Sequence, residues 1–309
     1  MEKLVIIGSG AAGLTAAIYA SRSNLNPLLI SGIMPGGLLT QTSDVENYPG
    51  FPEAVNGFEL MMKFQEQSER FGTRIVNENV EKVEFAAAAT QKLFLNSGDT
   101  VEAESVIIAT GASPRWMNLE SEQRLKNKGV SACATCDGAF FRNVPVVVIG
   151  GGDTAMEEAL FLTNVASEIT VIHRRHELRA SKIMADRALA HPKIKFAWNS
   201  VVTEVLGQNE VEGVNVQDII NNTSSVIPCK GYFAALGHVP NTQLFKDIIE
   251  LNDTGYIQLR GNSSYTSMEG VFAAGDCADH VYRQAITAAG MGCKAAIDAE
   301  RWLSARHSA

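Results

Sequence analysis

Long apolar runs are missing from this 309-residue chain: its 26 glycines interrupt every one of them, so no segment reads as a membrane-spanning helix. A basic region is missing too. Lysines and arginines number 26 against 34 aspartates and glutamates, and the resulting net charge of -8 argues against a nucleic-acid footprint. Cysteine is scarce and odd in number, five in all with only one closely spaced pair, which does not resemble the disulfide framework of a secreted domain. Met1-Glu2-Lys3 leads straight into a β-rich run, without a charged leader or a cleavable apolar stretch. No export signal is expected, and the expected compartment is the cytoplasm. The remaining composition, 46% hydrophobic and 19% charged, is ordinary for an α/β protein, and the length suits two domains.

The close pair lies in Cys133-Ala134-Thr135-Cys136, followed by Asp137-Gly138. Two cysteines separated by two residues can close a small disulfide ring that opens and closes without unfolding the chain, and a carboxylate beside the second can carry its proton. The alternative is half of a zinc site. Structural zinc takes four ligands, and Cys229, Cys277 and Cys293 form no second C-x-x-C to complete one. Redox chemistry is therefore the favoured reading, and no metal is expected.

Nucleotide turns stand on both sides of this pair. Leu4 to Ile7 is a short β-rich run, followed by Gly8-Ser9-Gly10-Ala11-Ala12-Gly13 and then by helical composition from Leu14 to Arg22. The glycines permit a tight turn and close backbone approach, and the helix N-terminus offers N–H groups to a pyrophosphate. The next strand, Pro27 to Ile30, ends in Ser31-Gly32, where an acidic residue would grip an adenosine ribose. A glycine turn at Gly36-Gly37 and a proline-bounded loop from Asp44 to Pro52 follow; that loop either wraps a ligand or simply covers the surface. Leu60, Met61, Phe64, Ser68 and Phe71 predict an amphipathic helix whose stripe is core. A hairpin-like break at 86–89 and a buried strand from Val106 to Gly111 close this block.

The second turn is Gly150-Gly151-Gly152-Asp153-Thr154-Ala155, between a strand from Val144 to Ile149 and a helix. The strand after it, Glu168 to Ile172, ends in His173-Arg174-Arg175, with Arg179 a turn further on, where an aspartate would mark NAD. Guanidinium forks bind a 2′-phosphate bidentately, so this end is expected to prefer NADPH. The plainer alternative is a solvated basic start to a helix over 180–190. Further strands are expected over 193–203, 213–218 and 231–238. After Asn241 the chain is expected to return to its first domain, through a strand ending in Gly275-Asp276 and a small-residue helix over 285–304. His238 and His280 have no spaced nucleophile or metal partner and read as structural or cofactor-adjacent.

Gly8-Ser9-Gly10, Glu46 to Pro52, Cys133 to Gly138, His173-Arg174-Arg175, and Gly275-Asp276 followed by Tyr282-Arg283-Gln284-Ala285 together resemble the low-molecular-weight thioredoxin reductases over essentially the whole chain. The resemblance implies a homodimeric α/β flavoprotein of two Rossmann-like, three-layer nucleotide-binding domains. An FAD domain over 1–112 and 243–309 would be interrupted by an NADPH domain over 113–242 that carries the redox pair. FAD would be held at Gly8, Ser9, Gly10, Ala11, Ala12, Gly13, Gly37, Leu38, Asn47, Val80, Thr110, Gly111, Gly275, Asp276, Arg283, Gln284 and Ala285. NADPH would be held at Gly150, Gly152, Asp153, Thr154, His173, Arg174, Arg175 and Arg179. Cys136 would be the thiol next to the flavin, Cys133 the one that attacks thioredoxin, and Asp137 the acid. Two departures stand out: Leu38 where relatives commonly have glutamine, and Ala11 where they have proline. The end at Ser308-Ala309, without a terminal cysteine pair, does not resemble the high-molecular-weight type. Phe140, Phe141 and Arg142 read either as anchors for thioredoxin or, for the two rings, as core. The NADPH domain would turn about Ala112-Ser113-Pro114 and Pro240-Asn241-Thr242, so that the cysteines and the nicotinamide alternate at one flavin.

Overall fold

The computed structural model describes residues 1–32, 34–42, 44–87 and 89–307; Ala88, within the expected break at 86–89, and the final Ser308 and Ala309 lie outside them. Two compact units are formed, Met1–Ser113 with Val239–Ala309, and Pro114–His238 inserted between those stretches.

The outer unit begins with β1 (Glu2–Ile7), α1 (Ala11–Arg22) and β2 (Leu28–Ile30). A two-residue ladder, β3 (Asp44–Val45) with β4 (Val55–Asn56), precedes α2 (Gly57–Arg70). That helix opens on Asn56, whose side-chain oxygen accepts the Phe58 and Glu59 N–H groups at 3.0 and 3.4 Å, and it buries Leu60, Met61 and Ser68. Then come β5 (Arg74–Val76), β6 (Val80–Glu84), β7 (Gln91–Leu95) and β8 (Thr100–Ile108). The sheet runs β5-β2-β1-β8-β7-β6, parallel from β5 to β8 and antiparallel beyond. Its central strands are apolar on both faces because helices and chain cover both sides, the usual condition of parallel strands.

β9 (Ala112–Pro114) leads into the inserted unit: α3 (Glu120–Arg124), β10 (Val130–Ser131), α4 (Ala134–Asp137), β11 (Pro145–Ile149), α5 (Asp153–Leu162), β12 (Glu168–Ile172), α6 (Lys182–Leu189) and β13 (Ile194–Ala197). With β17 (Gly231–Ala234) these strands form a parallel sheet, β10-β17-β11-β12-β13. Before β17, the chain makes an antiparallel meander of β14 (Ser200–Leu206), β15 (Gly213–Asp218) and β16 (Thr223–Pro228). β16 is exposed along nearly its whole length, so it carries no apolar alternation, and its ladder to β15 alone makes it a strand. Glu122 of α3 is fully buried, where it accepts the N–H groups of Met117 and Asn118 at 3.1 and 2.9 Å and the Tyr232 hydroxyl at 2.9 Å. This carboxylate fixes the entry segment of the unit.

β18 (His238–Pro240) pairs with β9 and carries the chain back. β19 (Val271–Ala273) adds to the C-terminal half of β8, in register Val271 with Val106, and α7 (Ala285–His307) completes the outer unit. Gly292 of α7 meets α1 so closely that an added Cβ would lie 2.0 Å from the Ala12 carbonyl oxygen. Among the described residues no helix is long and apolar enough to cross a membrane.

Candidate active site

In the inserted unit, β10 delivers Ser131 to the cysteine turn. Cys133 and Cys136 are joined in a disulfide with Cα atoms 5.3 Å apart. The Cys133 carbonyl accepts the N–H groups of Cys136 and Asp137 at 3.2 and 3.1 Å, which winds α4 around the ring. Gly138 is buried, and an added Cβ there would stand 3.2 Å from the side-chain ends of Phe161 and Leu162; its bareness lets α5 press on the turn. The Asp137 carboxylate accepts the Ser131 hydroxyl at 2.5 Å, and the same Ser131 oxygen accepts the Cys133 N–H at 3.0 Å. Burial raises the Asp137 pKa above the ordinary carboxylate value, while the Ser131 hydrogen bond opposes the rise. A half-buried carboxyl poised to hold a proton therefore sits one residue from the disulfide. Nothing in the sequence marked Ser131; its only signal was a hydroxyl two residues before the pair.

The two aromatic rings after the pair separate. Phe141 lies over Gly231, where an added Cβ would come within 2.7 Å of its ring, and stacks edge-on to Phe233 with centroids 5.2 Å apart. It is core. Phe140 is 47% exposed.

At the second glycine turn, Gly150 has φ +150° and an added Cβ would lie 2.5 Å from the Ala235 carbonyl oxygen, so only glycine fits. Gly152, by contrast, has open space where its Cβ would be, and no side chain caps α5. Asp153 accepts the Ser181 N–H and hydroxyl, both at 2.8 Å, which tie α5 to the start of α6 and hold its pKa down. His173 is buried. Its ring occupies the space beside Gly151, where a Cβ would come within 2.3–2.6 Å, and Nε2 lies 3.1 Å from the Glu177 carbonyl. Burial, with the charges of Arg179, Arg175 and Arg174, lowers its pKa against that bond. Arg174, Arg175 and Arg179 are exposed beside it, and Arg179 N–H donates to the Gly151 carbonyl at 2.7 Å. His173 thus shapes the turn while the arginines face solvent.

In the outer unit the first turn is equally tight. An added Cβ on Gly8 would lie 2.3 Å from the Ala109 carbonyl oxygen, and one on Gly13 would lie 1.9 Å from that of Gly8. Gly10 again has open space, and no side chain caps α1; Ala11 and Ala12 are buried in its first turn. Ser9 donates to the Ser31 carbonyl at 3.0 Å and accepts the Gly36 N–H at 2.9 Å. Gly37 stands over Gly10, and Gly275 over Ala12, with added Cβ atoms 3.1 and 2.8 Å away from them. Segments from both parts of the outer unit therefore meet at one turn. Leu38 is 44% exposed. Asn47 donates to the Gln284 side chain at 3.4 Å, just before Ala285 opens α7. Thr110 and Gly111 instead engage Asn241: the Thr110 hydroxyl donates to its carbonyl at 2.7 Å, and the Gly111 carbonyl accepts its N–H at 2.9 Å. Val80 packs against the cluster containing Ile7, Ile30 and Ile108.

Asp276 carries a buried Oδ1 with no hydrogen-bond partner, and its pKa is raised to about 6 by burial and by Asp279, against the charge of Arg283. Asp279 was not singled out in the sequence, yet its carboxylate accepts the N–H groups of Val281, Tyr282 and Arg283 at 2.9, 2.9 and 3.1 Å. It cages a turn in which Arg283 takes φ +49°. An orphaned buried carboxylate oxygen near an open glycine cradle fits a bound dinucleotide that carries donors. Among the described residues no cluster of three histidine, cysteine or acidic side chains forms a metal site.

Comparison with known proteins agrees with this layout. The pyridine nucleotide-disulphide oxidoreductase family matches residues 2–292. The chain is 50% identical over 305 residues to a thioredoxin reductase of Rickettsia felis, covering 98% of each. It is also 50% identical to one from Mycolicibacterium smegmatis, covering 98% of this chain and 97% of that one. Among solved structures it is similar to thioredoxin reductase from Giardia duodenalis, with TM-score 0.94, 40% identity and 98% of both chains covered. A match that spans both units and includes the bonded cysteine pair makes this chain an oxidoreductase of the pyridine nucleotide-disulphide oxidoreductase family.

Proposed function

We propose that the chain is a thioredoxin-disulfide reductase that takes electrons from NADPH, holds FAD in the outer unit and reduces oxidised thioredoxin through Cys133 and Cys136. The observation that carries this reading is the Cys133–Cys136 disulfide beside an acid of raised pKa, on the same unit as the arginine-flanked second turn. FAD, when bound, supplies the two-electron link between nicotinamide and disulfide. Its support here is the Gly8–Gly13 cradle, with Asp276 offering a buried acceptor to a donor group. Arg174 and Arg175, exposed just after β12, would receive the 2′-phosphate, and Asp153 ties the start of α5 to Ser181 at the far end of the loop that carries them.

Two electrons and two protons open the disulfide to two thiols. Cys133 passes its proton to the Asp137 carboxylate and attacks, as thiolate, one sulfur of the thioredoxin disulfide; that bond breaks as a mixed disulfide forms, and Asp137 delivers the proton to the departing thiolate. Cys136 then attacks the Cys133 sulfur, the mixed disulfide breaks and the ring re-forms, and the proton that Cys136 gives up goes to the second thioredoxin sulfur as it leaves. Phe140 is the exposed aromatic anchor beside this exchange, with Phe141 fixing the loop from below. Because the cysteines and the NADPH residues belong to one inserted unit, turning that unit about β9 and β18 lets each reach the same flavin in turn. The active species is a homodimer. Ile286, Cys293 and Ile297 fall on one face of α7, where the two isoleucines and the nearby Tyr19 of α1 are exposed.

NADPH oxidation by the purified protein, followed with and without oxidised thioredoxin, tests the reading. Turnover that depends on thioredoxin is expected; NADPH consumption unchanged by thioredoxin overturns it.

A further inference from the structure

The nucleotide fingerprint of the outer unit is incomplete at one point. An acidic residue ordinarily stands at the end of the second strand and accepts a ribose hydroxyl, but β2 ends at Ile30 and is followed by Ser31. The Ser31 hydroxyl is turned to acceptors of the protein itself, the Gly32 carbonyl and the Asn77 side-chain oxygen, each 2.8 Å away. Beside β2 in the sheet lies β5, and just past the end of β5 stands Glu78.

The backbone holds Glu78 firmly. Ser31 N–H donates to the Val76 carbonyl at 2.9 Å and Gly32 N–H to the Glu78 carbonyl at 3.0 Å, so parallel pairing continues past both strands and carries Glu78 alongside Gly32. On its other flank, Asn79 N–H donates to the Asn96 side chain at 2.6 Å and the Asn79 carbonyl accepts the Asn96 N–H at 3.0 Å. The side chain is the opposite case: Glu78 Oε2 is buried and accepts no hydrogen bond. A carboxylate oxygen without a donor is unfavourable in that position unless a ligand supplies one. Within the described residues of this unit the other orphaned carboxylate oxygen is Asp276 Oδ1, at the opposite side of the glycine turn's strand order.

We propose that Glu78 replaces the missing acidic residue and accepts the adenosine ribose hydroxyls of the dinucleotide seated on the Gly8–Gly13 turn. The proposal rests on the flavin reading above, with FAD as that dinucleotide. Geometry favours it because the turn is anchored to the end of β2, by Gly8 N–H on the Ile30 carbonyl at 2.8 Å and by Ser9 on the Ser31 carbonyl. Glu78 is then one strand spacing, about 4.8 Å, beyond the usual position. Gly32 between them has no side chain to intervene.

The test compares binding of FAD and of its 2′,3′-dideoxyadenosine counterpart to full-length, flavin-stripped protein, read by quenching of flavin fluorescence. The original protein is expected to bind FAD at least about tenfold more tightly than the dideoxy dinucleotide. Glu78→Ala should bind the two alike, at the dideoxy level, and Glu78→Gln, which keeps a neutral acceptor, should fall between. Equal discrimination in all three proteins, or none in the original, overturns the role of Glu78. Failure of the original protein to bind either dinucleotide overturns the flavin reading instead. Equal weakening of both dinucleotides by Glu78→Gln would show a structural role and also overturn the proposal.

Discussion

Two glycines three residues apart in the first turn should respond to the same substitution in opposite ways. Gly13→Ala places its Cβ 1.9 Å from the Gly8 carbonyl oxygen, and that oxygen belongs to a backbone already locked against Ala109. Neither side can yield by a side-chain rotation, so a backbone shift of more than 1 Å is needed to reach ordinary contact. Overpacking of this kind costs about 3 kcal/mol or more. For a unit of this size that corresponds to roughly 6–12 °C in Tm. Gly10→Ala meets nothing within 4 Å, and Gly10 has φ -69°, which alanine adopts without strain. Its cost to the fold should be that of a weakened N-cap, about 1 kcal/mol at most. The open space at Gly10 is where a pyrophosphate would approach the α1 N-terminus, so the added methyl should displace it. Thermal melting of the flavin-stripped proteins, together with FAD titration, separates the two effects. Gly13→Ala is expected to melt early, while Gly10→Ala melts within a few degrees of the original protein and loses FAD affinity by at least about tenfold. A Gly10→Ala protein that keeps both its stability and its FAD affinity would refute placement of the pyrophosphate there.

Four further outcomes are expected. Ser131→Ala removes the hydrogen bond that opposes the rise in the Asp137 pKa, so the alkaline limb of thioredoxin turnover should move to higher pH; a limb that moves down or stays refutes the pairing. The raised pKa favours folding fully below the unfolded value of about 3.9 and this is lost as pH rises through the folded value, so Asp137→Asn should gain stability on the original protein at neutral pH, checked by urea melts at two pH values. Glu122→Ala leaves two N–H groups and the Tyr232 hydroxyl without their acceptor, and should cost at least about 3 kcal/mol in the inserted unit's denaturation, with the outer unit's flavin retained. Replacing both Arg174 and Arg175 by alanine should lower kcat/KM for NADPH at least about tenfold and leave that for NADH nearly unchanged; equal losses would mean that they do not read the phosphate.

Local chemistry made much of this protein legible in its sequence. Glycine at a turn that admits no Cβ, a β-rich run before it and an alanine-rich helix after it are constraints within about twenty residues, and both nucleotide turns and the spacing of Cys133 and Cys136 follow from them. The stripe from Leu60 to Ser68 is equally local, because a 3.6-residue period reads directly as a buried face. Contacts between distant segments are another matter. The partner of Asp137 is Ser131 because β10 ends beside α4, and Asp279 shapes the Arg283 turn through backbone N–H groups that no motif advertises. His173 looked like one more basic residue of the coenzyme patch, but the bareness of Gly151 draws its ring inside and leaves the arginines outside. Phe140 and Phe141 are adjacent and alike, and Gly231 on a strand ninety residues later decides which of them is core. Only the parallel pairing of β2 with β5 sets Glu78 beside the gap left at Ser31, since sheet register joins residues whose separation in sequence carries no periodic signal.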